Sequence, residues 1–238
     1  DVIARSALSD ALKKVFDIER LIGRITYGTA NCRDLRALSA AIACLPEIRE
    51  QAAQFSQPML REITSNMDLL EDIHALVELA IVDEPPILLR EGGLIRTGYN
   101  EEIDYLRDLA SGGKGKIAAI EQTEREKTGI SKLKIGYNRV FGYYIEVSKS
   151  NVDSVPDYYI RKQTLANGER YITEELKQLE STVLGAQERL TSLEYDVFVS
   201  VRDQIAEQVH RVQKTAQAVA ALDVLCALAE VACDNNYT

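Results

Sequence analysis

KLKIGYNRVFGYYIEVSK at 132–149 and YIRKQTLANGERYI at 159–172 decide how this chain of 238 residues is organised. Leu133–Asn138 and Gly142–Ser148 alternate apolar and polar residues with a period of two, and Asn138-Arg139-Val140-Phe141 separates them, so they read as a hairpin. A second hairpin is expected from Tyr158–Thr164 and Glu169–Thr173, turning through Leu165-Ala166-Asn167-Gly168; Asn-Gly is a strong turn signal because both residues tolerate positive φ. Across 132–171 there are seven basic residues (Lys132, Lys134, Arg139, Lys149, Arg161, Lys162 and Arg170) against four acids, and six of the eleven tyrosines. The island is therefore +3 inside a chain of −9, which leaves −12 to the rest. A small basic, aromatic β segment in an acidic body has the composition of a contact module on a support.

The support is helical. Leu8, Leu12, Val15 and Phe16 form one apolar face. Asn31 is an N-cap for a helix whose Leu35, Leu38, Ile42 and Leu45 recur at steps of three and four, and Pro46 is expected to kink or end it. Pro58 suits the first turn of another helix, and 69–82 carries a further stripe that Asp83-Glu84-Pro85-Pro86 stops. ILLREGGLIRTGY (87–99) predicts two short extended pieces around Glu91-Gly92-Gly93. Asn100 with Glu101, Glu102 and Asp104 opens a helix that reaches Lys127 through a weak middle at 111–115, and Thr128-Gly129 closes it. From Thr173 to Asp234 there is no proline and one glycine, and Leu176, Leu179, Val183, Ala186, Leu190, Leu193 and Val197 trace a heptad seam. Unbroken, this second helix would be about 90 Å long. One long helix entering the island and another leaving it predict an antiparallel pair with a small sheet at its tip.

Composition excludes several classes. Hydrophobic residues at 46% and charged residues at 27% are enough for a buried core. No run of about 18 apolar residues predicts a membrane span. The opening DVIARSALSD begins mid-pattern, as a segment of a longer chain does. Cys32, Cys44, Cys226 and Cys233 form no C-x-x-C pair and read as buried, reduced thiols; His74 and His210 lack the neighbours of a catalytic set. Gly115-Lys116 is followed by Ile117 and preceded at the first glycine position by Ala110, so it is not a phosphate-binding loop. No catalytic constellation is visible. For the basic island two readings stand on composition alone: a phosphate-binding face, or a solvated face over a packed sheet. Under the first, Asn138, Arg139, Arg161, Lys162 and Asn167 lie at or near exposed turns and donate to phosphate oxygens without reading bases.

DEPPILLREGGLIRTGYNEEIDYLRDLA (83–110), EREKTGISKLKIGYNRVFGYYIEVSKSN (124–151), YIRKQTLANGERYITEELKQLE (159–180) and AALDVLCALAEVACDNNY (220–237) closely resemble the MutS family of bacterial DNA mismatch repair proteins. The resemblance implies a mainly α fold: a helical core with long antiparallel lever helices carrying a small antiparallel β clamp at the tip. It implies a division into a first core and lever part (1–129), a clamp (130–172) and a second lever and core part (173–238). It implies a clamp that holds double-stranded DNA by its backbone, with the contacts falling at Asn138-Arg139 and from Arg161-Lys162 to Asn167. Gly168 stands where the family commonly has Ala, and Ala166 where it often has Lys; the loss of that one charge implies a weaker and slightly less salt-dependent grip. The resemblance further implies that ATP and magnesium are bound by an ATPase domain outside this chain, so that this portion is not itself an enzyme and holds no cofactor. It implies a homodimer and a MutL-type partner for the full-length protein, in the bacterial cytoplasm with the nucleoid. The alternative from the residues is a helical scaffold whose seam at 176–197 binds a partner helix.

Overall fold

The computed structural model describes residues 2–237 except Phe16, Arg139 and Phe141, and Lys114 in its backbone alone. The chain is mainly α with one small antiparallel sheet. It forms two compact units, residues 1–99 with 193–238, and residues 100–192.

The first unit holds α1 (Val2–Leu12), α2 (Ile18–Thr26), α3 (Cys32–Ala43), α4 (Leu45–Ala52), α5 (Pro58–Ser65) and α6 (Glu71–Ala80). Residues 101–128 and the sheet belong to the second unit, and the chain then returns. Asn31 caps α3 in a reciprocal box, accepting from the Asp34 N–H at 3.0 Å while the Asp34 carboxylate accepts the Asn31 N–H at 2.9 Å. Pro46 ends α3 by opening a new helix: it sits in the first turn of α4, where a missing N–H costs nothing. Pro58 starts α5 in the same way. Leu8, Leu21, Ile22, Ile25, Leu35, Leu38, Ile42, Leu45 and Ile48 interlock as the core. Val15 lies past the end of α1, and Phe16 lies outside the described residues.

Two expectations are corrected here. Leu88 has extended backbone (φ −102°, ψ 123°), but a 3-10 turn follows at once at Leu89–Glu91, so the first expected piece does not become a strand. The second piece is real but pairs elsewhere: Ile95 bridges Ile81, and the Arg96 N–H donates to the Ala80 carbonyl at 2.8 Å. The cysteines also differ from the buried set expected. Cys32 and Cys226 are buried, Cys44 is half-buried, and Cys233 is exposed and accepts from Arg5 Nη1 at 2.8 Å.

The second unit opens with α7 (Glu101–Thr128), capped by Asn100 Oδ1 on the Ile103 N–H at 3.0 Å and closed by Gly129 at φ 69°. It continues through β1 (Lys134–Asn138), β2 (Gly142–Ser148), a 3-10 turn at Lys149–Ser154, β3 (Ile160–Thr164) and β4 (Gly168–Ile172). Then α8 (Glu174–Ala206) begins. Thr173 caps it through Oγ1 on the Leu176 N–H. All sheet neighbours are antiparallel, in the order β1-β2-β4-β3. Helices α7 and α8 run antiparallel: Glu102 meets Arg189, Gly113 faces Val183, and Ile120 shares a cluster with Leu176 and Leu179.

α8 is not continuous to Asp234. It stops at Ala206, and α9 (Val209–Asp234) follows after two turn residues. No proline or glycine marks this break. The residues just beyond it are held by another segment instead: Arg211 forks onto Asp68 (2.8 Å) and Asp72 (2.7 Å), and the Thr215 hydroxyl donates to the Asp68 carbonyl at 2.9 Å. α9 is long and apolar enough by composition to cross a bilayer. Its Val212, Ala216, Leu222 and Cys226 are buried where it packs on α1, α2 and α5, whereas Val224, Leu228 and Val231 are exposed.

The glycine stretch at 112–115 does not interrupt α7. Only Gly113 is needed where it stands, because an added Cβ would meet Val183 Cγ2 at 2.6 Å, whereas Gly112 and Gly115 have open space. Gly112→Ala and Gly115→Ala are therefore expected to raise stability by about 0.5–1 kcal/mol each, from helix propensity. Gly113→Ala is expected to lower it by about 1–2 kcal/mol through overpacking against a β-branched neighbour. Urea unfolding of the three variants separates these signs.

Candidate nucleic-acid interface

The pleat divides the basic island between two faces. On one, Ile145, Val147 and Tyr171 pack with Ile120, Ile130, Leu133, Tyr159 and Leu176, with Ile135 and Tyr143 at the margin. On the other, Lys134, Glu146, Arg170 and Gln163 stand in register across the four strands. Arg170 is consumed there: Nε donates to Glu146 at 3.0 Å, Nη1 to Gln163 at 3.0 Å, and its guanidinium lies 4.2 Å from the Tyr144 ring centre. Tyr144 in turn crosses β1 over Gly136, where a Cβ would meet its hydroxyl at 2.6 Å.

The predicted contact residues are not all brought together. Asn138 ends β1, and its Oδ1 accepts the Val140 N–H at 3.0 Å, which closes a side-chain turn. Arg139 lies outside the described residues. Arg161 pairs across the strands with Tyr171, and its exposed guanidinium is 3.5 Å from Glu169. Lys162 is the extra residue of a β-bulge, since Arg161 faces Tyr171 and Gln163 faces Arg170. Asn167 is exposed in the β3–β4 turn. β2 carries Gly142, opposite Asn138, at one end and Ser148, opposite Gly168, at the other. The Asn138 turn and the Asn167 turn are thus about 20 Å apart along the strand.

Asn167-Gly168 does not make the turn its sequence suggests. Neither residue has positive φ. The turn closes through the Leu165 N–H on the Gly168 carbonyl at 2.8 Å, and the Asn167 carbonyl accepts the Lys149 N–H at 3.0 Å. Gly168 is glycine for closeness instead: a Cβ would lie 2.4 Å from the Val147 carbonyl oxygen.

Lysines supply free cations among the described residues of this unit. Among those residues, the side-chain ammonium groups of Lys132, Lys134, Lys149, Lys162 and Lys177 have no acidic or hydrogen-bonding partner, unlike the guanidinium groups of Arg161 and Arg170. Lys177 was hidden from sequence reasoning because it belongs to the first turns of α8 and reads as a helix-surface residue. In the fold it lines a cleft of about 410 Å³ together with Lys162, Val140, Tyr143, Glu180 and Ser181. Lys162 therefore reaches the end of the sheet where Asn138 stands. No group of His, Cys, Asp and Glu among the described residues has the arrangement to hold a metal ion.

Residues 98–189 match MutS family domain IV, a span that takes in α7, the whole sheet and the start of α8. The DNA mismatch repair protein MutS of Alkaliphilus oremlandii is 50% identical over 237 residues, which is all of this chain and 27% of that protein. The proteins of the same name from Ruminiclostridium cellulolyticum and Acetivibrio thermocellus are each 50% identical over 99% and 98% of the chain. The chain spans about a quarter of the length of these relatives. With one domain of the family matched across the sheet and half of all positions shared along the whole chain, it belongs to the MutS family.

Proposed function

We propose that residues 130–172 are a clamp that holds duplex DNA through its phosphates, independently of sequence, and that 1–129 and 173–238 are the core and lever that carry it. The observation that supports this is the set of partnerless lysines gathered on a +3 island within a −9 chain. Asn138, Arg139, Arg161, Lys162 and Asn167 are its proposed contacts, now joined by Lys177. In the full-length protein the long helices would couple the clamp to an ATPase domain that binds ATP and magnesium; no cofactor and no catalysis are assigned to this chain. Two such protomers would close around DNA in the bacterial cytoplasm, at the nucleoid, and pass the signal to a MutL-type partner. A scaffold that offers its seam to a foreign helix is less well supported, because Leu176, Ala186 and Leu190 are already buried within the chain.

Fluorescence anisotropy of a labelled duplex tests the proposal. The chain is expected to bind perfect and mismatched duplex alike, more weakly as salt rises. Arg161→Glu/Lys162→Glu is expected to lose about tenfold at low salt, with a shallower salt dependence. Absence of binding at low salt, or concentration-dependent self-association in its place, would count against a clamp in this chain.

A further inference from the structure

The cleft between the sheet and α8 already contains an anion, and it belongs to the chain. Glu180 Oε2 accepts the Tyr143 N–H at 3.3 Å. Its carboxylate lies flat against Gly142, where a Cβ would fall 2.0–2.4 Å from Oε1, Oε2 and Cδ. Gly142 has φ 74°, and this left-handed residue at the base of the β1–β2 turn leaves the next peptide N–H facing α8. Lys162, Lys177 and Ser181 line the same cleft, yet neither lysine is paired with the carboxylate. A cleft lined by a backbone N–H, two lysines without acidic partners and a hydroxyl offers the donor set that suits a phosphate.

We infer that this is a seat for one phosphodiester, occupied in the free chain by Glu180 as a stand-in. It rests on the reading of the sheet as a DNA clamp and deepens it. When duplex approaches, a phosphate takes the Tyr143 N–H between Lys162 and Lys177, and the Glu180 side chain rotates out toward solvent. A carboxylate at that place opposes binding by direct repulsion, so it keeps the grip weak and releasable. This assigns two further residues: Lys177 as a contact and Glu180 as its competitor.

Amide NMR of the labelled chain tests the seat without DNA. With Glu180→Ala, inorganic phosphate is expected to shift the Tyr143 amide saturably, and Lys177→Gln added to that variant is expected to abolish the shift. In the unsubstituted chain the same titration leaves Tyr143 unmoved. In the duplex arm, Glu180→Ala is expected to bind about fivefold tighter at low salt, the factor set by one unit-charge repulsion at water-like dielectric. Its slope of log K against log salt should steepen by about one. Glu180→Gln, which keeps an acceptor for the Tyr143 amide and loses only the charge, should share the gain in affinity even if the alanine variant folds poorly. A Tyr143 amide indifferent to phosphate, or weaker duplex binding by both variants, would make Glu180 a brace for the turn and overturn the inference. A phosphate response with no duplex binding by any form would instead sink the clamp reading and leave an anion seat.

Discussion

Glu194→Ala is expected to lower the stability of the first unit by about 3 kcal/mol. Glu194 is fully buried, and its Oε2 accepts the Gly93 N–H at 2.5 Å and reaches the Leu94 N–H at 3.4 Å. Gly92 and Gly93 have φ of 73° and 70°, and past this left-handed pair the Gly93 and Leu94 N–H groups turn to the carboxylate for an acceptor. Leu94 and Ile95, just beyond it, are buried to 1% exposure or less. Removing the carboxylate leaves amides without an acceptor where water is scarce, while the loop must still cover the core. Glu194→Gln keeps one acceptor oxygen and is expected to cost less, about 1–2 kcal/mol.

Cys32 reports the same event chemically. It is fully buried, and burial, with Glu194 adding to it, pushes its thiol up to about 12. In the native chain Cys233 should label first with a thiol reagent, and Cys32 only when the unit opens. If opening becomes about 3 kcal/mol easier, labelling of Cys32 in Glu194→Ala accelerates by about 100-fold. An unchanged urea midpoint together with unchanged Cys32 labelling would show that the loop does not depend on this carboxylate.

What was legible in the sequence is what short-range chemistry decides. Asn31 and Asn100 cap because an amide oxygen beside a helix start meets bare N–H groups whatever surrounds it. Pro46, Pro58 and Gly129 punctuate for equally local reasons. The break between α8 and α9 was illegible, since it follows from Arg211 and Thr215 docking on a segment more than 140 residues earlier. Asn167-Gly168 misled for a related reason: the same dipeptide serves positive φ or close strand approach, and only the Val147 carbonyl tells which. At the site, the charge island was legible as composition. Which cations were already engaged was not, because Arg170 and Arg161 lose their freedom to cross-strand acids that alternation alone does not identify. Glu180, Glu124 and Glu194 look in sequence like any carboxylate on a helix surface; depth separates them.

Glu124→Ala is expected to loosen the sheet from α7 by about 2–3 kcal/mol. The Glu124 side chain is 2% exposed, and its Oε2 accepts both the Tyr158 and Tyr159 hydroxyls at 2.8 Å, while Oε1 accepts from Lys127 at 3.2 Å. It is thus a carboxylate of the helix gripping the segment that leads into β3, beside a core that Tyr159 and Tyr171 help to fill. The pH dependence carries a definite sign on each side. Burial pushes the Glu124 carboxyl up, but the donors from Tyr158, Tyr159 and Lys127 together outweigh it and hold the group below the usual carboxylate range. A depressed folded value means that this stabilisation is present above about pH 4.3, the ordinary glutamate value, and is lost as pH falls through the folded one. The tyrosines behave oppositely. Burial, then the hydrogen bond to Glu124, pushes the Tyr158 phenol up to about 12 and Tyr159 higher still. Their contribution is complete below about pH 10 and disappears as pH rises through those raised values. Unfolding followed across pH should therefore show a plateau with an acid and an alkaline edge, and Glu124→Ala should shrink both, the alkaline one less because burial is the larger cause there. Part of the alkaline edge should survive the substitution, because the Tyr171 phenol is pushed up to about 12 by its own burial and by Glu169. An alkaline edge left at full size in Glu124→Ala would mean that the Tyr158 and Tyr159 hydroxyls do not depend on this carboxylate. The tie bears on function in one direction only: it joins the proposed clamp to the helix that carries it, so a chain that keeps its free lysines but loses Glu124 should bind duplex with the same salt slope and reduced affinity.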